Sequence, residues 1–215
     1  MVTRLNPYLE KIGLKEQDGF MKNRGCADAT STLKIMLQNL QAIDQDTYVL
    51  YVDIVKAFDS VNREMLWEIL SKYGLPDSII AVIKKMYTNI QIKLKIDDAE
   101  AEFTSTSGVK QGDNLAPILF IFAIQAAIDT MHRNWPTTKP SLEWFPKAKG
   151  NLSRRCDNKK KFAEPLDLTD AFYADDSAFV FLSLAELVTG TQFVKDTIAE
   201  IYPQTITCNK IKLQN

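Results

Sequence analysis

The sequence predicts an α+β domain built around an antiparallel sheet. Three observations carry that reading: a β-rich run from Tyr48 to Ile54, two hairpin patterns further along, and an almost wholly apolar helix from Ile118 to Met131 that has to be buried.

The elements follow in chain order. Residues 28 to 43 read as a helix, with apolar positions at Leu33, Ile35, Met36, Leu37 and Leu40. Tyr48 to Ile54 stays apolar until Asp53, the pattern of a strand covered on both faces. Asn62 is placed to cap a helix carrying Met65, Leu66, Ile69, Leu70 and Tyr73 on one side, and Gly74 followed by Pro76 stops it. Asp77 or Ser78 is placed to cap the next helix, which presents Ile80, Ile83 and Tyr87 at helical spacing. Gln91 to Ile96 and Ala101 to Thr106 alternate on either side of Asp97-Asp98, a hairpin signal. Pro117 suits the first turn of the apolar helix. From Asn134 to Leu168, Pro, Lys, Arg and Asn dominate around Trp135, Trp144 and Phe145, and the stretch reads as an inserted loop or small ribbon. Ala171 to Ala174 and Ser177 to Phe181 are two strands with Asp175-Asp176 at the turn, and Leu184 to Ile201 is helical in pattern.

With 215 residues, 46% of them apolar and 25% charged, the chain has the material for a core and is not disordered as a whole. The longest unbroken apolar stretch, Ile118 to Ile124, is far short of the ~20 residues of a membrane-spanning helix, so no membrane partner is expected. The N-terminus carries no hydrophobic block of a signal peptide. Three scattered cysteines (Cys26, Cys156, Cys208) imply neither a disulfide framework nor a zinc cluster, and together these features point to a reducing, intracellular compartment. His132 is the single histidine, which removes most histidine-based metal and triad chemistry. The net charge of −1 argues mildly against nucleic acid as a partner, but its distribution is uneven. Lys84, Lys85, Lys93 and Lys95 lie in a stretch without acids, and seven basic residues between Phe145 and Phe162 face one acid, Asp157. Each is either a phosphate-binding patch or a solvated face.

Asp53 ends a hydrophobic strand, and Asp175-Asp176 interrupt another hydrophobic pair. Carboxylates in such places are costly unless solvated, paired or bound to a cation. If the strands are neighbours, the acids converge at one sheet edge, where oxygen-only ligation suits Mg²⁺ or Mn²⁺. Two such ions serve phosphoryl or nucleotidyl transfer. The alternative is that all three are ordinary turn residues. A second feature is the polar loop Ser107-Gly108-Val109-Lys110-Gln111-Gly112-Asp113-Asn114, which is either a ligand-binding loop at a helix N-terminus or a plain strand-to-helix connection.

Taken together, the blocks resemble a known family. Tyr51-Val52-Asp53 through Ala57-Phe58-Asp59, Ser107-Gly108-Val109-Lys110-Gln111-Gly112, and Phe172-Tyr173-Ala174-Asp175-Asp176 look like three successive motifs of a reverse transcriptase. The kind is that of non-LTR (LINE-type) retrotransposons, with group II intron enzymes as cousins. Gly19-Phe20-Met21-Lys22-Asn23-Arg24-Gly25-Cys26-Ala27-Asp28-Ala29 resembles the block those enzymes carry upstream of the first aspartate.

The resemblance implies the palm of a right-hand polymerase with part of the fingers and no thumb. Residues 1–47 would be partial fingers, 48–131 and 169–215 palm, and 132–168 a basic inserted loop. It implies an RNA-directed DNA polymerase using two Mg²⁺ or Mn²⁺ ions, an RNA template, a DNA primer and deoxynucleoside triphosphates, completed by the missing thumb and fingers in a full-length protein. Asp53 and Asp175 would hold the ions, with Asp176 beside them. Phe58 would lie under the incoming sugar and exclude a 2′-hydroxyl; Gln111 and Gly112 would contact nucleotide and template. Tyr173 would sit by the primer terminus, and Lys22 and Arg24 would contact triphosphate or template. The chain departs from the family pattern at Asp113, an acid beside the nucleotide site, which favours the alternative of an inactive remnant that binds RNA. Phe58 argues against an RNA-dependent RNA polymerase. A Mg²⁺-dependent phosphatase or cyclase leaves the Gly19 and Gln111 blocks unexplained.

Overall fold

In the computed structural model, the residues described are 1–12, 17–21, 23–97, 99–135, 143–144, 166–167, 170–202 and 206–213. The chain opens with α1 (Val2–Ile12) and α2 (Cys26–Ala42), then enters the central strand β1 (Thr47–Ile54). A short turn of helix, α3 (Ala57–Ser60), leads to α4 (Arg63–Lys72) and α5 (Asp77–Tyr87), followed by the hairpin β2 (Ile90–Ile96) and β3 (Ala99–Ser105). The long α6 (Ala116–Asn134) precedes a small ribbon, β4 (Glu143–Trp144) with β5 (Leu166–Asp167). Strands β6 (Asp170–Tyr173) and β7 (Asp176–Phe181), helix α7 (Leu184–Ile201) and strand β8 (Ile206–Leu213) complete it.

The sequence signals explain most boundaries. Asn62 caps α4, its side-chain oxygen accepting from the Met65 amide at 3.2 Å. Ser183 does the same for α7 through Glu186. Helix α5 corrects the expectation: Pro76 occupies its N-cap position, and Asp77 is already helical, contributing charge to the first turn rather than a cap. The apolar helix is buried as expected, from Ala116 to Met131 on nearly every side. Its polar positions are provided for: the Gln125 amide donates to Asp129, which also accepts the Tyr73 hydroxyl at 2.6 Å.

The four-stranded sheet has the order β6-β7-β1-β8 and is antiparallel throughout. Strand β8, unexpected from the sequence, pairs along the whole of β1, from Thr47 opposite Leu213 to Ile54 opposite Ile206. One sheet face joins the core through Leu50, Val52, Ile54, Phe172, Phe179 and Phe181, packed with α6, α7 and α4. Helix α1, also not foreseen, adds Leu5 and Leu9 to that core. On the other face, Met36 and Leu40 of α2 pack on Ala171 and Val180. Both N-terminal helices thus share cores with the sheet. Among the described residues, no helix is long and apolar enough to cross a membrane.

The approach of α7 to the sheet depends on Gly190, where an added Cβ would meet the buried Phe181 ring at 2.4 Å. Alanine favours a helix over glycine by ~1 kcal/mol, but overpacking costs ~1–3 kcal/mol. Gly190→Ala should therefore lower stability by about 1 kcal/mol in urea denaturation, the opposite sign to that expected from helix preference.

Candidate active site

The aspartates meet through strand register. Val52 lies opposite Ser177, whose hydroxyl donates to the Val52 carbonyl at 3.5 Å. The next residues along these antiparallel strands are Asp53 and Asp176. Tyr173 pairs with Asp176, leaving Ala174 and Asp175 as the turn between β6 and β7, with Ala174 in the left-handed region at φ 56°. The sequence pattern places both acids at the turn; the structure puts Asp175 there and makes Asp176 the first residue of β7.

Asp53 and Asp176 are exposed, while Asp175 is half-buried. Burial above all, and then the charges of Asp176 and Asp53, push the Asp175 carboxyl above its ordinary range, against the pull of its own backbone N–H. The completely buried Tyr202 lies within reach of the same field: desolvation, then the Asp175 charge, pushes its phenol well up. Among the described residues, no group of three or more His, Cys, Asp or Glu side chains is disposed to hold a metal ion. A groove of about 420 Å³ opens beside the acids, lined by Asp53, Tyr173 and Asp176 on the sheet and by Cys26, Thr30 and Leu33 of α2. A larger cleft of about 530 Å³ lies elsewhere, between α4, α5 and β3, and none of the three aspartates lines it.

Beyond β1, Lys56 takes a left-handed φ of 52° and turns the chain into α3. Phe58 on that turn is half-buried: its ring stacks on Phe120 at 4.7 Å and meets Phe20 edge-on at 6.0 Å. The loop after β3 lies against the same turn. The Val109 amide donates to the Phe58 carbonyl and the Gly108 amide to Val61. Gly108, at φ 76°, passes so close to Asp59 that a Cβ would fall 2.6 Å from its backbone. Only glycine meets both requirements. Gln111 is exposed and places its amide nitrogen 3.4 Å from both Asp59 carboxylate oxygens. Gly112, at φ 85°, has open space on its Cβ side. Asp113 acts locally, its carboxylate accepting from the Leu115 amide at 3.0 Å and so shaping the entry to α6.

Sequence reading missed two polar residues that brace these loops. Arg63, only 9% exposed, donates to the carbonyls of Gly108, Tyr87, Ser105 and Ser107 and to the Ser105 hydroxyl, at 2.7–3.2 Å. Its one sequence signal is a cation heading a helix that is otherwise apolar toward the core. Gln17 is completely buried against the β6–β7 turn, and nothing local in the sequence marks it. Lys22 lies outside the described residues. The Arg24 guanidinium donates to the Gln17 carbonyl at 3.0 Å and stands 3.7 Å from Asp18. The lysine stretch is corrected: Lys93 and Lys95 pair across the hairpin with Glu102 (3.6 Å) and Glu100 (3.4 Å), acids that a local count does not see. The basic stretch from 145 to 162 lies outside the described residues.

Comparison with known proteins then places the chain. A family model described as reverse transcriptase (RNA-dependent DNA polymerase) matches residues 1–215. A retrovirus-related Pol polyprotein from a type-2 retrotransposable element of Drosophila melanogaster is 30% identical over 132 residues, 61% of this chain and 12% of that protein. A Pol polyprotein from a type-1 retrotransposable element of Nasonia vitripennis is 29% identical over 55% of this chain and 12% of its own length. The chain thus spans about an eighth of these relatives. Among solved structures, telomerase from Candida albicans, in complex with a fragment of telomeric RNA, superposes with a TM-score of 0.65 at 12% identity, covering 98% of this chain and 34% of that one. Apo telomerase from Candida tropicalis gives 0.64 at 12% identity, over 98% of this chain and 36% of that one. The shared fold is that of a right-hand polymerase, and helices with an antiparallel sheet are consistent with a palm-like α+β domain.

This geometry has consequences for stability. The Asp175 carboxyl is raised in the folded state, so it costs no stability below its ordinary value of 3.8 and an increasing amount as pH rises through the folded value. Asp175→Asn should therefore melt a few degrees higher at pH 7, with the difference vanishing below about pH 4 in a pH series of thermal scans. Arg63→Met should cost about 3 kcal/mol or more in denaturant titration, because it strands buried carbonyls, and Arg63→Lys should recover little of that, lacking the planar fork.

Proposed function

The chain belongs to the reverse transcriptase (RNA-dependent DNA polymerase) family, and we propose that its aspartate edge is the centre at which a DNA primer is extended on an RNA template. The observation that carries this reading is the pairing of β1 with β7, which sets Asp53 beside Asp175-Asp176 at one sheet edge, open to a groove.

The donor set is carboxylate oxygen, which suits Mg²⁺ or Mn²⁺. The lack of a three-residue cage among the described residues is compatible with this, because Mg²⁺ commonly takes one or two carboxylates and completes its shell with water and substrate phosphates. Burial first, and then the charges of Asp176 and Asp53, disfavour the ionised Asp175 carboxyl, and a bound cation would relieve both. Asp53 and Asp175 would hold two ions, with Asp176 adjacent. Bound there, the ions would neutralise triphosphate charge and lower the pKa of the primer 3′-hydroxyl.

The chain's own residues supply position. Tyr173, beside Asp176 in the groove, would bear on the primer terminus. Phe58 would form the wall under the incoming sugar, and its stack on Phe120 prevents the ring from retreating into the core. Gln111, tied to Asp59, and Gly112, open on its Cβ side, would meet nucleotide and template. Lys22 and Arg24 would contribute on the triphosphate or template side. Residues 1–47 would act as partial fingers and 48–131 and 169–215 as palm; α6 runs on to Asn134 and Trp135 stacks on Phe181, so within 132–168 the basic insert that would meet RNA phosphates begins beyond them. Asp113 shapes the entry to α6 through the Leu115 amide and keeps its charge beside the loop, the feature on which the second reading, an inactive remnant that binds RNA, rests.

Asp53→Asn and Asp175→Asn should each reduce Mg²⁺-dependent primer extension on an RNA template by about 100-fold or more. Unchanged extension would refute the assignment. Phe58→Val should increase ribonucleotide use relative to deoxynucleotide use by about tenfold in competition assays, because the wall against the 2′-hydroxyl is gone. Unchanged discrimination would make Phe58 a core residue only.

A further inference from the structure

We propose that Gln17 is a positioning residue for the aspartate pair, its side-chain amide clamping the turn that carries Asp175 into the shape that presents it to cations. The inference rests on the aspartates being a cation site.

Gln17 is polar yet 0% exposed. Its side-chain oxygen accepts from the Ala174 amide at 3.0 Å and the Gly19 amide at 2.7 Å, while its side-chain nitrogen donates to the Ala174 carbonyl at 3.3 Å. The orientation of the amide is forced, since the reverse would set donors against donors. One side chain thus satisfies both backbone groups of Ala174, the residue whose left-handed φ of 56° makes the turn. A non-glycine residue holds that conformation only when its surroundings fix it.

The segment around Gln17 is itself anchored. Gln17 bridges Phe172 in parallel fashion, and the Asp18 amide donates to the Phe172 carbonyl at 3.0 Å. Arg24 holds the Gln17 carbonyl from the other side. Gly19 lies so close to the turn that a Cβ would stand 2.1 Å from the Ala174 nitrogen. The residues from 17 to 19 therefore line the outer edge of β6 as a short brace. Strand pairing needs only the backbone of that brace; the Gln17 side chain is spent on the turn instead. Its chemistry is that of an outer residue that orients a ligand, whose loss commonly costs about 10–100-fold in metal affinity.

The test uses the 215-residue chain, Mn²⁺ as probe and two readouts: Mn²⁺ affinity by electron paramagnetic resonance, and amide exchange by mass spectrometry. Gln17→Met keeps the volume and removes the hydrogen bonds; Gly19→Ala keeps Gln17 but pushes the brace off the turn. Asp53→Asn tests the underlying metal reading separately. Each brace variant should weaken Mn²⁺ binding by about tenfold and speed exchange across residues 172–177, with β1 and α6 exchanging as in the parent. Wild-type Mn²⁺ affinity in both brace variants, or exchange that rises evenly over the whole chain, would overturn the clamp. If Asp53→Asn leaves Mn²⁺ binding unaltered while the brace variants still loosen residues 172–177, the metal reading fails and Gln17 stands as a clamp of the turn alone.

Discussion

The register of β1 against β7 is the constraint on which the rest of the molecule depends. A shift of one residue would reverse the facing of the whole strand, driving Asp53 toward α6 and lifting Val52 and Ile54 into the groove. Burying a lone carboxylate there would cost several kcal/mol, and three large apolar side chains would lose their cover. Leu50, Val52 and Ile54, packed with Phe179 and Phe181, make that slip prohibitive. The hydrophobic core therefore fixes the position of the acids from behind, without any of these core side chains having to meet a substrate.

The loops around the acids are held by polar anchors. Arg63 gathers four carbonyls and a hydroxyl from the segments flanking the Gly108 turn, and so carries the order of α4 into the loop that bears Gln111. Asp113 shapes the next step, into α6. Such anchors suit loops of this kind: a buried guanidinium stripped of its acceptors, or carbonyls stripped of their donor, is costly, so the arrangement is effectively single-valued. Asp175 shows the opposite economy. Its burial and its neighbours make the charged turn unfavourable on its own, a tension that the proposed cation site would relieve.

Charge on the hairpin follows the same logic of pairing. Register aligns Lys93 with Glu102 and Lys95 with Glu100, so one face is self-neutralised. The other face carries Ile92, Leu94, Ile96 and Phe103, all exposed. The electrostatic attraction for a nucleic acid expected of Lys93 and Lys95 is thereby reduced, while Lys84 and Lys85 of the same stretch lie on α5.

What the sequence by itself determined is what local periodicity and turn chemistry encode. The 3.6-residue pattern placed α4, α6 and α7; an unbroken apolar run placed β1; the two-residue pattern placed the β2–β3 hairpin; Asn62 marked a cap; and the aspartates stood out as acids in apolar strands. Ordered blocks around Gly19, Asp53, Gln111 and Asp175 were enough to indicate the family. Tertiary structure alone decided the remainder. Strand β8 escaped because Asn209-Lys210 breaks its alternation, and only the open edge of β1 makes it a strand. The acids opposing Lys93 and Lys95 lie beyond the hairpin turn, outside any same-sign window. Arg63 reaches acceptors up to 45 residues away, and Gln17 meets Ala174 across 157, so no local pattern could show the partners of either. The physical reason is the same in each case: a hydrogen-bond partner is chosen by which segments the core brings together, and that choice is made only when the whole chain has folded.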